Sequence, residues 1–268
     1  MLDNFYNKAS KKYSISHALC RVWEYTEMVG KDFSYPMLDL GCGDGSFLKM
    51  ILEGKEQEDK GVLREIYGLD ISESACRGAE KSGIYKEVKC VPSHKMLFPD
   101  NRFSMAISNC VIEHIPAVEE TVREAYRVLA PRGVFFFTTH SNFYMTDLFY
   151  PKIFNKLGLG FLAKAYMNSV NKIFKHYNLF TKERWEELLK SAGFEVVEIK
   201  YTHSPKHMKW YDVLMPLSAL QQFFIKTIGY VPFSSSNKSM LKAIIKRTKQ
   251  HEAGLNNGTN YTITAKKL

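Results

Sequence analysis

Cysteine is sparse and unpaired in this chain. The five residues, Cys20, Cys42, Cys76, Cys90 and Cys110, are scattered, odd in number and include no C-x-x-C. That pattern argues against a disulfide framework and against a zinc site, and it makes the reducing cytoplasm the expected compartment. Long apolar runs are also missing, since none approaches the roughly 20 residues that span a bilayer. The opening stretch Met1-Leu2-Asp3-Asn4-Phe5 lacks the basic-then-apolar order of a secretion signal. Acid is scarce in two places. Pro151 to Phe180 carries five lysines and no acid, and from Thr202 to Leu268 ten Lys or Arg face only Asp212 and Glu252. The formal net charge of +9 therefore sits mainly in these two stretches. No recognised nucleic-acid module accompanies the basic surplus, and charge alone does not define one, so no nucleic-acid partner is expected.

What is present suits a globular enzyme or binding domain. At 268 residues, with 45% hydrophobic and 24% charged content, the chain is long enough for one α/β domain with insertions. Apolar runs near 36–40, 65–70, 87–91, 104–109 and 133–139, with helical patterns between them, predict a parallel, doubly wound sheet. Trp185 to Phe194 then reads as a helix closed by Gly193. A strand follows over 195–201, and 260–266 reads as its antiparallel edge partner.

The sharpest local signal is Met37-Leu38-Asp39-Leu40-Gly41-Cys42-Gly43-Asp44-Gly45-Ser46-Phe47. A strand runs into an acid, then into glycines at alternate positions, then into a helix, which is a nucleotide-binding strand–turn–helix. Glycine permits positive φ and removes Cβ, so backbone can lie directly against a ligand. A dinucleotide fingerprint would place its third glycine at position 46, where this chain has Ser46. A second strand ends Tyr67-Gly68-Leu69-Asp70-Ile71, with Asp70 where a ribose-gripping acid is expected about 20 residues after the glycines. The interval is longer here, and the polar stretch from Glu53 to Gly61 has the composition of an inserted loop.

Two further landmarks complete a series. One is Met96-Leu97-Phe98-Pro99-Asp100-Asn101-Arg102-Phe103-Ser104, continued by Met105 to Ile115 with Glu113-His114-Ile115 at its end. The other is Glu124 to Phe137, a helix, a Pro131/Gly133 turn and a buried strand. Together with the glycine run these resemble the class I S-adenosylmethionine-dependent methyltransferases, in the type-11 branch that includes ubiquinone and menaquinone methyltransferases. The resemblance covers about Pro36 to His140 and resumes at Phe180 to Tyr201 and in the last strand. It implies a Rossmann-like, seven-stranded sheet, mostly parallel with an antiparallel final strand, and helical lid insertions. It also implies S-adenosyl-L-methionine as cofactor and S-adenosyl-L-homocysteine as product. The cofactor-binding set carried over is Asp39, Gly41, Cys42, Gly43 and Gly45 from the first turn, Asp70 and Ile71, then Ser93 and His94, then Asn109 and Cys110. Asp39 is the expected counter-ion of the cofactor ammonium. Two departures stand out: Phe103-Ser104 replaces the usual Phe-Asp, and Val91-Pro92-Ser93-His94 lacks the acid that often meets the adenine.

The chain is expected to be a single methyltransferase domain over 1–268 with three elaborations: helices in 1–35, a lid in 141–179, and a helical insertion in 204–257. The lid segment is rich in aromatics, among them Phe143, Tyr144, Phe149, Tyr150, Phe161 and Tyr166. In the insertion, Leu217, Leu220, Phe224 and Ile228 share a helical face. So do Lys238, Lys242, Lys246 and Lys249, with Met240, Ile244 and Ile245 on another. Such segments either pack against the core or carry a lipid-like acceptor and contact an anionic membrane peripherally.

The resemblance implies in-line attack by an acceptor atom on the sulfonium methyl, with alignment and exclusion of water as the protein's main tasks. A small-molecule oxygen acceptor, lipid-like, quinone-like or sugar-containing, would need a base, and histidine is best tuned for it. His114 and His140 are the candidates, with His176 and His203 more distant. No metal-ligand spacing is visible. A noncatalytic cofactor-binding or membrane-recruiting protein on the same fold is the competing reading.

Overall fold

The computed structural model describes residues 2–55, 64–249 and 254–268. Of the stretch read as an inserted loop over 53–61, positions 56–61 lie outside the described residues. In chain order the elements are α1 (Leu2–Lys12), α2 (Ile15–Val29), β1 (Met37–Leu40), α3 (Ser46–Lys55), β2 (Ile66–Asp70), α4 (Glu73–Ser82), β3 (Glu87–Cys90), β4 (Phe103–Asn109), α5 (Val118–Val128) and β5 (Leu129–His140). They continue with α6 (Phe149–Lys156), α7 (Gly160–Phe174), α8 (Lys182–Ser191), β6 (Phe194–Thr202), α9 (Pro205–Val213), α10 (Met215–Ile228), α11 (Ser234–Thr248) and β7 (Asn260–Lys267). Two compact units result. A sheet unit comprises Met28–Ser141, His176–Lys200 and Tyr261–Leu268, and a helical unit comprises Met1–Glu27, Asn142–Lys175 and Tyr201–Asn260.

In the sheet unit, seven strands lie in the order β3-β2-β1-β4-β5-β7-β6. β1 pairs in parallel with β2 on one side and β4 on the other, Met37 lying opposite Ile66 and Met105. Successive connections leave β1 in opposite directions, so a crevice opens beyond the carboxyl ends of β1 and β4, where open α/β sheets bind ligands. Sequence dictates the central strands. β1 is buried along its whole length, and Phe135, Phe136 and Phe137 of β5 are at most 1% exposed, as strands covered on both faces require. α4 is closed at both ends, by the Ser72 hydroxyl accepting from Ala75 N and by Gly83 at φ 74°. α5 turns Val118, Thr121, Val122, Ala125 and Val128 inward.

One expectation about the sheet is corrected. β7 is the neighbour of β6 as expected, but it is not the edge: it lies between β5 and β6, and β6 is the edge. Burial explains the order. Tyr261, Ile263 and Ala265 are fully buried, whereas β6 carries Glu195, Glu198 and Lys200 outward. Lys267 locks the inner position by donating to Asn101 Oδ1, Tyr126 O and Leu129 O at 2.8–2.9 Å.

The helical unit is held by buried polar bonds between its N-terminal and C-terminal segments. Ile15 N donates to Gln221 Oε1 at 2.8 Å, Ser16 N to Ser218 Oγ at 2.8 Å, and Ser16 Oγ to Tyr211 O at 2.9 Å. Each such bond adds on the order of 1 kcal/mol net. Buried Asp212 accepts from Tyr150 N and the Tyr166 hydroxyl, tying α6 and α7 to α9. α10 is inverted relative to an ordinary packed helix. It buries Ser218 and Gln221, while Leu220, Phe223 and Ile228 are 51%, 62% and 66% exposed. α11 is conventional: Leu241, Ile244 and Ile245 are buried, Lys246 and Lys249 are exposed, and Lys242 pairs with Asp3 at 2.8 Å. Among the described residues, no helix is long and apolar enough to cross a membrane.

Candidate active site

The glycine turn after β1 is backbone geometry made by sequence. Gly41, Gly43 and Gly45 all have positive φ, at 77°, 56° and 74°. A Cβ on Gly41 would lie 2.5 Å from a Val111 methyl, so residue 41 has no room for a side chain. Gly41 N and Cys42 N donate to Leu69 O at 2.7 and 3.0 Å, which hooks the turn onto the end of β2. The Asp70 carboxylate then joins two loops, accepting from Gly43 N through Oδ2 and from Ser72 N through Oδ1, both at 2.9 Å. Asp39 is only 6% exposed and accepts the Tyr85 hydroxyl at 2.6 Å. Burial pushes its carboxyl up to about 7; the Tyr85 bond opposes that shift and the Asp70 charge adds to it.

Beside this turn is a cavity of about 250 Å³, apolar with a few polar groups. Of the sequence-derived residues, Gly41, Asp70, Ile71, Ser93, His94 and His114 line it, together with Leu40, Leu69, Pro92, Val111 and Ile115. Asp39, Cys42, Gly43, Gly45, Asn109, Cys110 and His140 are not among its lining residues. Ser93 Oγ is 2.9 Å from Thr121 Oγ1, which anchors the short turn Ser93–Lys95 to α5.

Past β4 the chain builds a second cluster in the same unit. Cys110, at φ 49°, donates its N–H to Thr138 Oγ1 at 3.0 Å, and that hydroxyl donates to Asn109 Oδ1 at 2.9 Å. Glu113 is fully buried. Its Oε2 accepts from Thr139 Oγ1 at 3.2 Å, and its Oε1 is 3.6 Å from His140 Nε2. Three imidazoles cluster here: His114 stacks on His176 with centroids 4.9 Å apart, and His140 meets His176 edge-on at 5.0 Å. The segment is pinned by Tyr177 N and Asn178 N donating to Glu113 O, and by Asn178 Nδ2 donating to Ile112 O and Ile115 O. Burial, with His114 beside it, lowers His176 to about 4. Glu113 had no role in the sequence-derived site, and His176 figured there only as a more distant base candidate. Only the Glu-His-Ile run hinted at the first, and no local pattern marks the second. Cys110, Glu113 and His140 each offer an atom within 4.8 Å of the other two.

A strand-end acid, a glycine turn at positive φ and a cavity at the β1/β4 switch point define a Rossmann-like nucleotide site. Comparison with known proteins makes the class specific. A family model described as a methyltransferase domain matches residues 11–199, so the chain belongs to that family, as a class I S-adenosylmethionine-dependent methyltransferase of the type-11 branch. It is 23% identical over 218 residues to the ubiquinone/menaquinone biosynthesis C-methyltransferase UbiE of Rickettsia bellii, covering 75% of this chain and 87% of that protein. UbiE of Bartonella tribocorum is 27% identical over 221 residues, covering 75% and 83%. Among solved structures, a possible histamine N-methyltransferase from Thermotoga maritima aligns with a TM-score of 0.58 at 17% identity, covering 94% of this chain and 91% of that one. The [4+2]-cyclase SpnF aligns at 0.55 and 17%, covering 92% and 80%. These structures establish the fold. Their names span different chemistries, so the acceptor has to be argued from this chain's own residues.

Proposed function

We propose that this methyltransferase transfers the methyl group of S-adenosylmethionine to a hydroxyl of a small, lipid-like acceptor, and that it works in the cytoplasm at the surface of an anionic membrane. The observation that carries the reaction is the cluster of His114, His140 and Glu113 beside the cavity of the glycine turn.

The residues present suit the cofactor. A turn kept free of side chains by Val111 and Tyr85 lets backbone approach a ligand, and the cavity is apolar with Asp70 at its wall. In this reading Asp39, Gly41, Cys42, Gly43 and Gly45 take the amino-acid end. Asp70 and Ile71 take the ribose, Ser93 and His94 the adenine, and Asn109 and Cys110 form the rim towards the sulfonium. Bound cofactor supplies a methyl group that is already activated. The protein is left to align the acceptor, exclude water and remove one proton. His140 takes that proton at Nδ1, Glu113 beside Nε2 orients the ring and stabilises the charge it acquires, and His114 positions the acceptor from the cavity wall.

We read the chain as a single methyltransferase domain elaborated by segments 1–35, 141–179 and 204–257, of which the last two hold the acceptor specificity. The exposed apolar residues of α10, with exposed Lys226 among them, support a peripheral membrane contact. Methyl-labelled cofactor incubated with protein and host extract, then partitioned between water and organic solvent, tests the reading. Label in an organic-soluble, base-stable ether is expected and is lost with His140→Gln. Label confined to the aqueous phase overturns the lipid-like acceptor, and label on carbon overturns the oxygen nucleophile.

A further inference from the structure

The helical unit contains a second constellation that methyl transfer does not use. Cys20 on α2, His203 just after β6 and His207 on α9 come together although they span 187 positions of sequence. One ligand atom from each lies within 4.8 Å of the other two, and Cys20 Sγ is 4.0 Å from His207 Nε2. Both histidines are buried, at 3% and 1% exposure, with ring centroids 4.7 Å apart and nearly perpendicular planes.

Two of the imidazole nitrogens have no hydrogen-bond partner: His203 Nε2 and His207 Nδ1. A buried polar atom left in that condition costs about 1–3 kcal/mol, so it asks for an explanation. His203 is also held in a conformation few residues adopt, at φ 58°, with its carbonyl accepting from Thr259 N and Oγ1 at 2.9 and 3.1 Å. Its Nδ1 is 3.2 Å from Thr202 Oγ1. An N–H given to that hydroxyl leaves Nε2 bare and fixes the ring, as outer partners of metal-bound histidines do. Trp23 packs edge-on against His207 at 6.1 Å and keeps the place apolar.

We propose that Cys20, His203 and His207 form a zinc site, with one thiolate and two imidazole ligands and a fourth position filled by a non-protein ligand. A tetrahedral zinc ion with bonds of about 2.3 Å to sulfur and 2.0–2.1 Å to nitrogen puts its ligand atoms about 3.3–3.6 Å apart. The observed separations, 4.0 Å between Cys20 Sγ and His207 Nε2 and none above 4.8 Å, exceed that spacing by little more than 1 Å. Binding releases the Cys20 thiol proton to solvent, so charge balances as one thiolate forms on the dication. The set of one soft and two borderline donors suits zinc rather than magnesium or calcium. Among the described residues no fourth Cys, His, Asp or Glu joins the group, which leaves the open position. The sequence contained no warning of it, because zinc motifs are read from close spacing and these ligands come from three separate elements.

The test is a metal titration of chelator-treated full-length protein, with cobalt(II) as the spectroscopic probe and zinc as competitor. Expected are a thiolate-to-cobalt charge-transfer band and intense tetrahedral visible bands that saturate at a single equivalent and vanish on adding zinc. Cys20→Ser abolishes the charge transfer, whereas Cys90→Ser and Cys110→Ser retain it. Should Cys20→Ser fail to fold, His203→Gln is read instead, together with the chelator-reversible rise in Tm that zinc gives the parent protein. Absence of a charge-transfer band in the folded parent overturns the proposal. So does a band that survives Cys20→Ser or disappears with Cys110→Ser, the latter placing the ion in the other cluster.

Discussion

Tyr85 donates its hydroxyl to Asp39 Oδ2 at 2.6 Å, and its ring occupies the space where a side chain on Gly45 would go, 2.7 Å from that Cβ position. One residue of the loop after α4 thus holds both the acid of β1 and the glycine turn that follows it. Burial raises Asp39 to about 7, with the Tyr85 bond pulling the other way.

The first prediction is a pH dependence. Asp39 has a folded-state pKa above its unfolded value, so the folded apo protein holds a proton that the unfolded chain releases. Its contribution lowers stability progressively as pH rises from about 4 to about 7, by a few kcal/mol in all, and is constant above that. Asp39→Asn removes this slope in pH-resolved denaturant titrations. A cofactor ammonium paired with ionised Asp39 reverses the sign for binding. Cofactor affinity falls close to tenfold per pH unit below about 7 in the parent and is flat and weak in Asp39→Asn. A parent affinity independent of pH between 5 and 8 rules that pairing out.

The glycines separate folding from binding. Gly41→Ala meets Val111 at 2.5 Å in a left-handed conformation, so it costs several kcal/mol and lowers Tm sharply. Gly43→Ala meets nothing within 4 Å, and its penalty is the roughly 1–2 kcal/mol of positive φ. In the proposed reading residue 43 holds the amino-acid end of the cofactor, so a methyl group there crowds it. Calorimetry should therefore find Gly43→Ala folded with cofactor Kd raised at least tenfold, and equal affinity in parent and variant would remove residue 43 from the proposed binding set.

These two glycines also mark what sequence could and could not reveal. Gly41 to Gly45, Asp70 and strands β1, β2, β4 and β5 were legible because turn chemistry and apolar runs are local properties. The place of β7 was not, since it depends on which strand loses more by facing water, a comparison across about sixty positions. Tyr85 and His176 carry no motif, and the Glu-His-Ile run does not say what Glu113 does: each matters through a partner supplied by another element. α10 was left open by the sequence for the opposite reason. Its apolar face was visible, but only Ser16 and Ile15, two hundred residues earlier, explain why Ser218 and Gln221 turn inward instead.

For the proposed base, His140→Gln and Glu113→Gln are each expected to lower kcat by about 10²–10⁴ while cofactor Kd stays within a few-fold. Loss of His140 should also abolish the acidic limb of the kcat–pH profile. Glu113→Gln should keep that limb and move it to lower pH, because the imidazolium loses its neighbouring charge at 3.6 Å. A purely structural role for the pair predicts instead a fall in Tm with an unchanged profile.

The membrane contact is tested on α10. Leu220, Phe223 and Ile228 are more than half exposed, whereas Ser218 and Gln221, which hold the helix down, are buried. Changing the three exposed residues to serine should leave stability within about 0.5 kcal/mol per site, as for surface positions without partners. Partial burial of each side chain in a lipid interface is worth about 1 kcal/mol, so the triple variant loses roughly a hundredfold in partitioning. Co-sedimentation with vesicles of anionic phospholipid should show the parent bound and the variant free. Raising the salt should weaken the parent through exposed Lys226, Lys246 and Lys249, whose attraction is screened beyond about 10 Å at 0.1 M. Equal binding by parent and triple variant moves the contact off α10, and no binding by the parent removes the membrane from the proposal while leaving methyl transfer to a free acceptor intact.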